Sequence, residues 1–162
     1  MRAMPSLPPE LKATFARFSA GPTLVRDAIE AIGPGELNRP GPGGWSIRDV
    51  LVHLSDTELV RAVRFRTILA DDGPVLWVFD EELWKRRLHY LWRSPEAALS
   101  LFQQLRYTNA ELLAQCDRQA WARTAVHPEL GAITLADVLE RGADHVDEHV
   151  AQIAELRAPR GG

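Results

Sequence analysis

A chain of 162 residues is long enough for one domain with its own core, and 46% hydrophobic with 25% charged residues is an ordinary globular composition. A formal net charge of −3 leaves no basic footprint, which argues against a nucleic-acid partner. The lone cysteine, Cys116, excludes an intrachain disulfide and fits a reducing cytoplasm; no apolar run reaches membrane-spanning length, and the first nine residues lack the apolar centre of a signal peptide.

After Pro8-Pro9, the residues Leu11, Phe15, Phe18, Val25, Ile29 and Ile32 recur at helical spacing and predict a first helix. Gly21-Pro22 interrupts it. Proline lacks an N–H and crowds the preceding turn, so a kink or break is expected there. Gly33-Pro34-Gly35 ends the helix, and residues 33–44 read as a loop. Ser46 is a good N-cap for a second helix, with Asp49 placed three residues on for a capping box. Ile47, Val50, Leu51, Leu54, Phe65, Ile68 and Leu69 then form one stripe, which stops near Asp71-Asp-Gly-Pro74. Glu58 and Arg61 fall inside that stripe, either as a buried ion pair or as a wet patch. His53 and Thr57 lie on its shoulder. Asp56 lies on the opposite side and is expected at the surface.

Residues 75–93 hold three of the five tryptophans and show the least regular pattern. Asp80 or a neighbour can cap a short helix there. The length suggests a crossover over the mouth of a bundle, and its aromatics suit a lid on the core or a dimer face better than a pocket wall. Ser94-Pro95-Glu96 opens a third long helix, with Leu101, Phe102, Leu105, Leu112, Leu113 and Cys116 on one face. Cys116 thus reads as a buried small hydrophobe, not a nucleophile. His127 precedes Pro128 and reads as an extended loop residue, at the surface first and at a cavity entrance as the weaker reading. Thr134-Leu-Ala-Asp137 repeats the Ser46 arrangement and opens a last helix running to Leu156. With no strand-like alternation, the expected fold is all-α: a four-helix bundle, one domain over residues 1–162, with a long crossover between helices two and three.

The last helix carries the chemistry. Leu135, Val138, Leu139, Val146, Val150 and Ile153 form its apolar stripe, with Gly142 mid-helix on that face for close packing. His145 and His149, four residues apart, stack one turn apart on the stripe's shoulder. Two neutral imidazoles so placed can chelate a divalent ion if a third ligand arrives; the competing reading is a buried histidine satisfied by a carboxylate. His53 sits seven residues after Ser46, and His149 seven before Leu156. If those helices run antiparallel with flush ends, all three histidines share a level to within about one turn. Three histidines leave an open position, as catalytic zinc sites do, whereas a structural site would draw on more cysteine than this chain has.

Gly44-Trp45-Ser46, His53-Leu-Ser-Asp56-Thr-Glu58, Asp80-Glu-Glu-Leu-Trp84, His127-Pro-Glu-Leu-Gly131-Ala-Ile-Thr134 and His145-x3-His149-Val-Ala-Gln152-Ile153 occur in an order that resembles the DinB-like superfamily, DinB/YfiT-type metal-binding four-helix proteins, from about residue 10 to 157. The resemblance implies antiparallel second and fourth helices and a metal site of His53, His145 and His149. The expected ion is divalent: zinc first, with nickel, manganese or iron as alternatives. The activity expected first is transfer of a low-molecular-weight thiol, of the bacillithiol or mycothiol type, to a small-molecule electrophile. The alternatives are metal-dependent hydrolysis, or a non-catalytic stress-response or binding protein with a structural metal. Asp56 and Glu58 are the candidate catalytic carboxylates, with Thr57 and Gln152 as further candidates for orienting ligands or moving protons. A homodimer in the cytoplasm, with no membrane or nucleic-acid partner, completes the expectation.

Overall fold

The computed structural model describes residues 7–159. The expectation about a signal peptide concerns a segment whose first six residues lie outside that range. In chain order the helices are α1 (Lys12–Ala28), α2 (Pro34–Asn38), α3 (Ile47–Ala70), α4 (Glu81–Arg87), α5 (Pro95–Ala114), α6 (Arg118–Trp121) and α7 (Leu135–Arg157). The long helices α1, α3, α5 and α7 make the bundle, and residues 71–94 form the crossover between α3 and α5. None of the described helices is long and apolar enough to cross a membrane.

Local chemistry sets the helix starts. Ser46 and Thr134 each close a reciprocal capping box. The Asp49 N–H donates to Ser46 Oγ while Asp49 Oδ2 accepts from the Ser46 N–H, and Asp137 does the same for Thr134. Ser94 caps α5, and Asp80 caps α4 by accepting from the Leu83 N–H at 2.7 Å.

Helix directions follow from what packs with what. One core cluster joins Phe18, Phe65, Leu113 and Leu139; a second joins Val25, Leu54, Phe102 and Val146. The first therefore takes the N-terminal parts of α1 and α7 but the C-terminal parts of α3 and α5. Thus α1 and α7 run one way, and α3 and α5 the other. Parallel neighbours cannot be joined by a tight turn, so the α3–α5 connection has to return along the bundle.

Between the two clusters lies a charged layer. Glu58 Oε2 accepts from Arg61 and Arg106, both at 2.8 Å, and Glu58 Oε1 accepts from the Asn109 amide at 2.8 Å. Arg106 also donates to the Phe18 carbonyl at 2.8 Å and the Gly142 carbonyl at 3.3 Å. The Phe18 contact explains a departure from expectation. Pro22 neither breaks nor ends α1, which is continuous across it. The carbonyl that Pro22 cannot serve is that of Phe18, four residues back, and the Arg106 guanidinium takes the missing donor's place.

Four other expectations are corrected. Thr124–His127 (β1) and Gly131–Thr134 (β2) pair as an antiparallel hairpin, so the chain is not strand-free; strands of four residues give too short an alternation to stand out. Residues 33–44 contain the short helix α2 rather than only loop, started by Pro34 at its first turn. Leu101 is exposed, because the buried face of α5 runs through Ala98, Phe102, Arg106, Asn109 and Leu113. Asp56 is buried, because Arg93 reaches over from the crossover and donates to its Oδ2 at 2.6 Å.

Gly142 lets α7 approach this layer. A Cβ there would stand 2.8 Å from Phe18 Cε2 and 2.9 Å from Arg61 Cδ and Nε. Gly142→Ala is therefore expected to destabilise despite alanine's better helix propensity, and Gly142→Leu to do so more strongly. Arg106→Met, which strips a buried carboxylate and two carbonyls of a donor, is expected to cost about 3–5 kcal/mol in urea denaturation. A Gly142→Ala variant at least as stable as wild type would contradict the packing.

Candidate metal centre

α3 carries His53 seven residues past its cap, and α7 carries His145 and His149 near its far end. Because these helices run antiparallel, the three rings meet at one level. Their Nε2 atoms converge: His145 Nε2 lies 3.0 Å from His53 Nε2 and 3.1 Å from His149 Nε2. One ligand atom from each ring falls within 4.8 Å of the other two. Nitrogens bound tetrahedrally at about 2.0–2.1 Å from zinc stand roughly 3.3 Å apart, so the donor set has the size of a three-His site.

Charge supports the same use. His53 is fully buried, and its pKa is pushed down to about 3 by burial, with His149 and the Arg61 guanidinium adding to the effect. His145 is lowered by burial and then by Arg61, and His149 by burial against an opposing hydrogen bond from Gln152. All three rings are thus neutral, the form that ligates. Their outer nitrogens differ. His149 Nδ1 is 2.7 Å from Gln152 Oε1, which fixes its proton on Nδ1 and frees Nε2 as a lone-pair donor. Thr57 Oγ1 lies 3.4 Å from the His53 ring nitrogens. His145 Nδ1 is buried with no partner among the described residues.

A cavity of about 340 Å³ opens beside the rings, lined by His145, Thr57, Arg61, Arg64, Phe79, Glu81, His127, Arg141 and Glu148 among others. His127 was expected at the surface. It is buried instead, at the end of β1, where the hairpin folds it under and its Nδ1 accepts the Glu129 N–H at 3.2 Å. Phe79 of the crossover walls the cavity, the role considered weaker for these aromatics. Exposed Trp77 stacks on Phe79 outside it.

Of the two carboxylates singled out in the sequence, neither is free. Glu58 is saturated by Arg61, Arg106 and Asn109; burial would raise its pKa, but the two arginines outweigh this and hold it below the usual range. Asp56 is engaged by Arg93. A third carboxylate, Glu81, entered the sequence reading only within the Asp80-Glu-Glu-Leu-Trp84 stretch and was given no role. The crossover carries it to the site, with Oε1 3.8 Å from His53 Nε2. Its side chain is still half exposed; partial desolvation and neighbouring Glu82, Asp80 and Glu148 raise its pKa. Only the fold of the crossover reveals this; no local spacing pairs Glu81 with His53.

The fold and the rings together define a four-helix protein with a set of three convergent histidines able to hold a divalent ion. The model of the DinB superfamily matches residues 17–153, and the chain belongs to that family. It is 30% identical over 142 residues to YfiT of Bacillus subtilis (strain 168), provisionally named a metal-dependent hydrolase, covering 86% of this chain and 80% of that protein. A similarly named protein of Oceanobacillus iheyensis is 31% identical over 137 residues, covering 83% and 78%. The solved structure of YfiT from Bacillus subtilis, described as a probable metal-dependent hydrolase with an unusual four-helix bundle topology, superimposes with a TM-score of 0.85 at 27% identity, over 96% of this chain and 91% of that one.

Because the folded rings resist protonation, the unfolded chain binds more protons than the folded one from pH 6.5 down to about 3. Stability of the metal-free protein is therefore expected to be fully present above pH 6.5 and to fall as pH drops through that window. Urea midpoints measured against pH should fall less steeply in His145→Gln. Equal slopes would contradict the burial of neutral imidazole.

Proposed function

We propose that this protein is a divalent-metal-dependent enzyme that hydrolyses a small molecule bound in the cavity beside His53, His145 and His149. The observation that carries the reading is the convergence of three neutral imidazole Nε2 atoms beside a carboxylate, Glu81, that no cation engages among the described residues. A divalent ion held by the three histidines supplies Lewis acidity and lets a water or thiol ionise near neutral pH.

The chain's own residues supply the rest. Gln152 orients His149, and Thr57 flanks His53. Glu81 stands at the cavity wall with a raised pKa, which suits it to accept a proton from an attacking water and return it to the leaving group. Phe79 and the crossover shield one side from solvent. Asp56 and Glu58 hold the scaffold: each carboxylate is already paired, so neither is free to carry a proton. The names of the YfiT-type relatives point to hydrolysis as well.

Transfer of a small thiol to an electrophile is the second reading. Burial pushes the Cys116 thiol up to about 11, so the chain offers no nucleophile of its own and a thiol would come from solution. Three neutral ligands leave an ion its full charge, which favours an anionic thiolate.

Ala variants of His53, His145 and His149 are each expected to lose bound metal in elemental analysis, while His89→Ala keeps it. Glu81→Gln is expected to keep the metal and lose roughly 10²–10⁴-fold of turnover across an ester, amide and lactone panel. Turnover of Glu81→Gln at the wild-type rate would remove Glu81 from the chemistry. Metal-dependent turnover seen only when a thiol and a chloro-aromatic or epoxide acceptor are supplied would favour the second reading.

A further inference from the structure

The cavity beside the imidazoles is bipolar. Its lining holds the carboxylates of Glu81, Glu129, Asp144 and Glu148 together with Arg61 and Arg64 from α3, Arg141 from α7 and His127 from β1. Most arginines near the bundle core have a carboxylate: Arg61 and Arg106 share Glu58, Arg93 has Asp56, and Arg157 has Glu36. Arg64 and Arg141 have none within 4 Å among the described residues. Among the described residues the side chain of Arg64 donates only to the Trp77 carbonyl, at 2.8 Å, and its buried Nε has no partner. Arg141 makes no side-chain hydrogen bond among the described residues. Burial and the charges of Arg61 and Arg141 both disfavour the Arg64 cation, and Arg64 and Arg141 in turn lower the pKa of His127 against an opposing effect of Glu129; Asp144 is engaged by Arg17, and no carboxylate of the cavity forms an ion pair with either arginine among the described residues.

His127 adds a directed donor. Its Nδ1 accepts the Glu129 N–H, so in the neutral ring the proton sits on Nε2. Half-buried Arg64, solvent-facing Arg141 and the His127 ring thus put two guanidinium groups without a carboxylate and one imidazole N–H on a single small cavity. They suit a planar or tetrahedral oxyanion, which a guanidinium can bind through two parallel N–H bonds.

We propose that Arg64, Arg141 and His127 form an anion subsite, and that the substrate is a small organic anion, a carboxylate or phosphate ester, whose charged group docks there. Its reacting group then extends toward His145 and Glu81. This rests on the reading of the cavity as the substrate site, but it makes a demand that the metal does not. The volume, about 340 Å³, is at the small end of ligand sites and limits the substrate to a single ring or a short chain.

The test is calorimetric binding of benzoate, phenyl phosphate and the neutral benzamide to the full chain, both zinc-loaded and after chelation and dialysis. Benzoate or phenyl phosphate is expected to bind in both states, and benzamide at least about tenfold more weakly, the scale of one charge-assisted hydrogen bond. Arg141→Gln, an exposed position that leaves the core intact, and Arg64→Gln should each lose about tenfold in anion affinity with unchanged zinc content. Preference between the two anions identifies the substrate's charged group. Wild-type affinity in both variants would overturn the subsite. So would anion binding that appears only with zinc, or none at all. Arginine-dependent binding in a chain that takes up no zinc would instead leave the subsite standing and overturn the metal reading.

Discussion

The fold turns on one buried carboxylate. Glu58 of α3, fully buried, draws Arg61 from its own helix and Arg106 and Asn109 from α5. Arg106 then reaches the carbonyls of Phe18 on α1 and Gly142 on α7. All four long helices are tied at this level. Dehydrating these charges is expensive, and only a fully bonded layer offsets it. The layer therefore fixes register. Sliding α3 past α5 by one turn, about 5.4 Å, would part Glu58 from Arg106 and Asn109, and sliding α1 or α7 would take the Phe18 or Gly142 carbonyl from Arg106. Pro22 and Gly142 belong to the same device: one exposes a carbonyl to Arg106, and the other removes a Cβ that would strike Arg61.

The layer also sets the electrostatics of the imidazoles. Glu58 brings one negative charge, Arg61 and Arg106 two positive ones, so the core beneath the histidines carries an excess cation. Burial lowers the pKa of all three rings most, and Arg61 adds to the effect at each. Burial and the charged layer beneath thus act in the same direction, toward neutral imidazoles. His145 lies three residues beyond Gly142 and Thr57 next to Glu58, so fold and site share their register. An ion placed there would meet that cationic surplus, which three neutral ligands do not offset. Glu81 and Glu148 at the cavity are the nearby carboxylates that can.

Much of this was legible in the sequence for physical reasons. Capping boxes at Ser46 and Thr134 mark where α3 and α7 begin, and helical rise then dictates the level of His53, His145 and His149. The stripes of α1, α3 and α7 are apolar enough to phase. The third long helix was harder. Its buried face includes Arg106 and Asn109, polar residues that any hydrophobic count assigns to the surface, so Leu101 was drawn into the core in their place. Asp56 and Arg93 are 37 residues apart, and nothing local announces that they meet. The same holds for Glu81, which reaches His53 only because parallel α3 and α5 force the crossover back over the mouth. The hairpin at 124–134 is too short to show a period, and with it the burial of His127 was hidden.

Convergence of the three imidazoles on one divalent ion is the claim on which the functional reading depends. Anomalous diffraction at the zinc edge, on crystals of the zinc-loaded protein, tests it most directly. The account predicts one strong peak per chain, about 2.0–2.1 Å from Nε2 of His53, His145 and His149. A peak ligated by other residues, or no peak at these rings under saturating zinc, would contradict it.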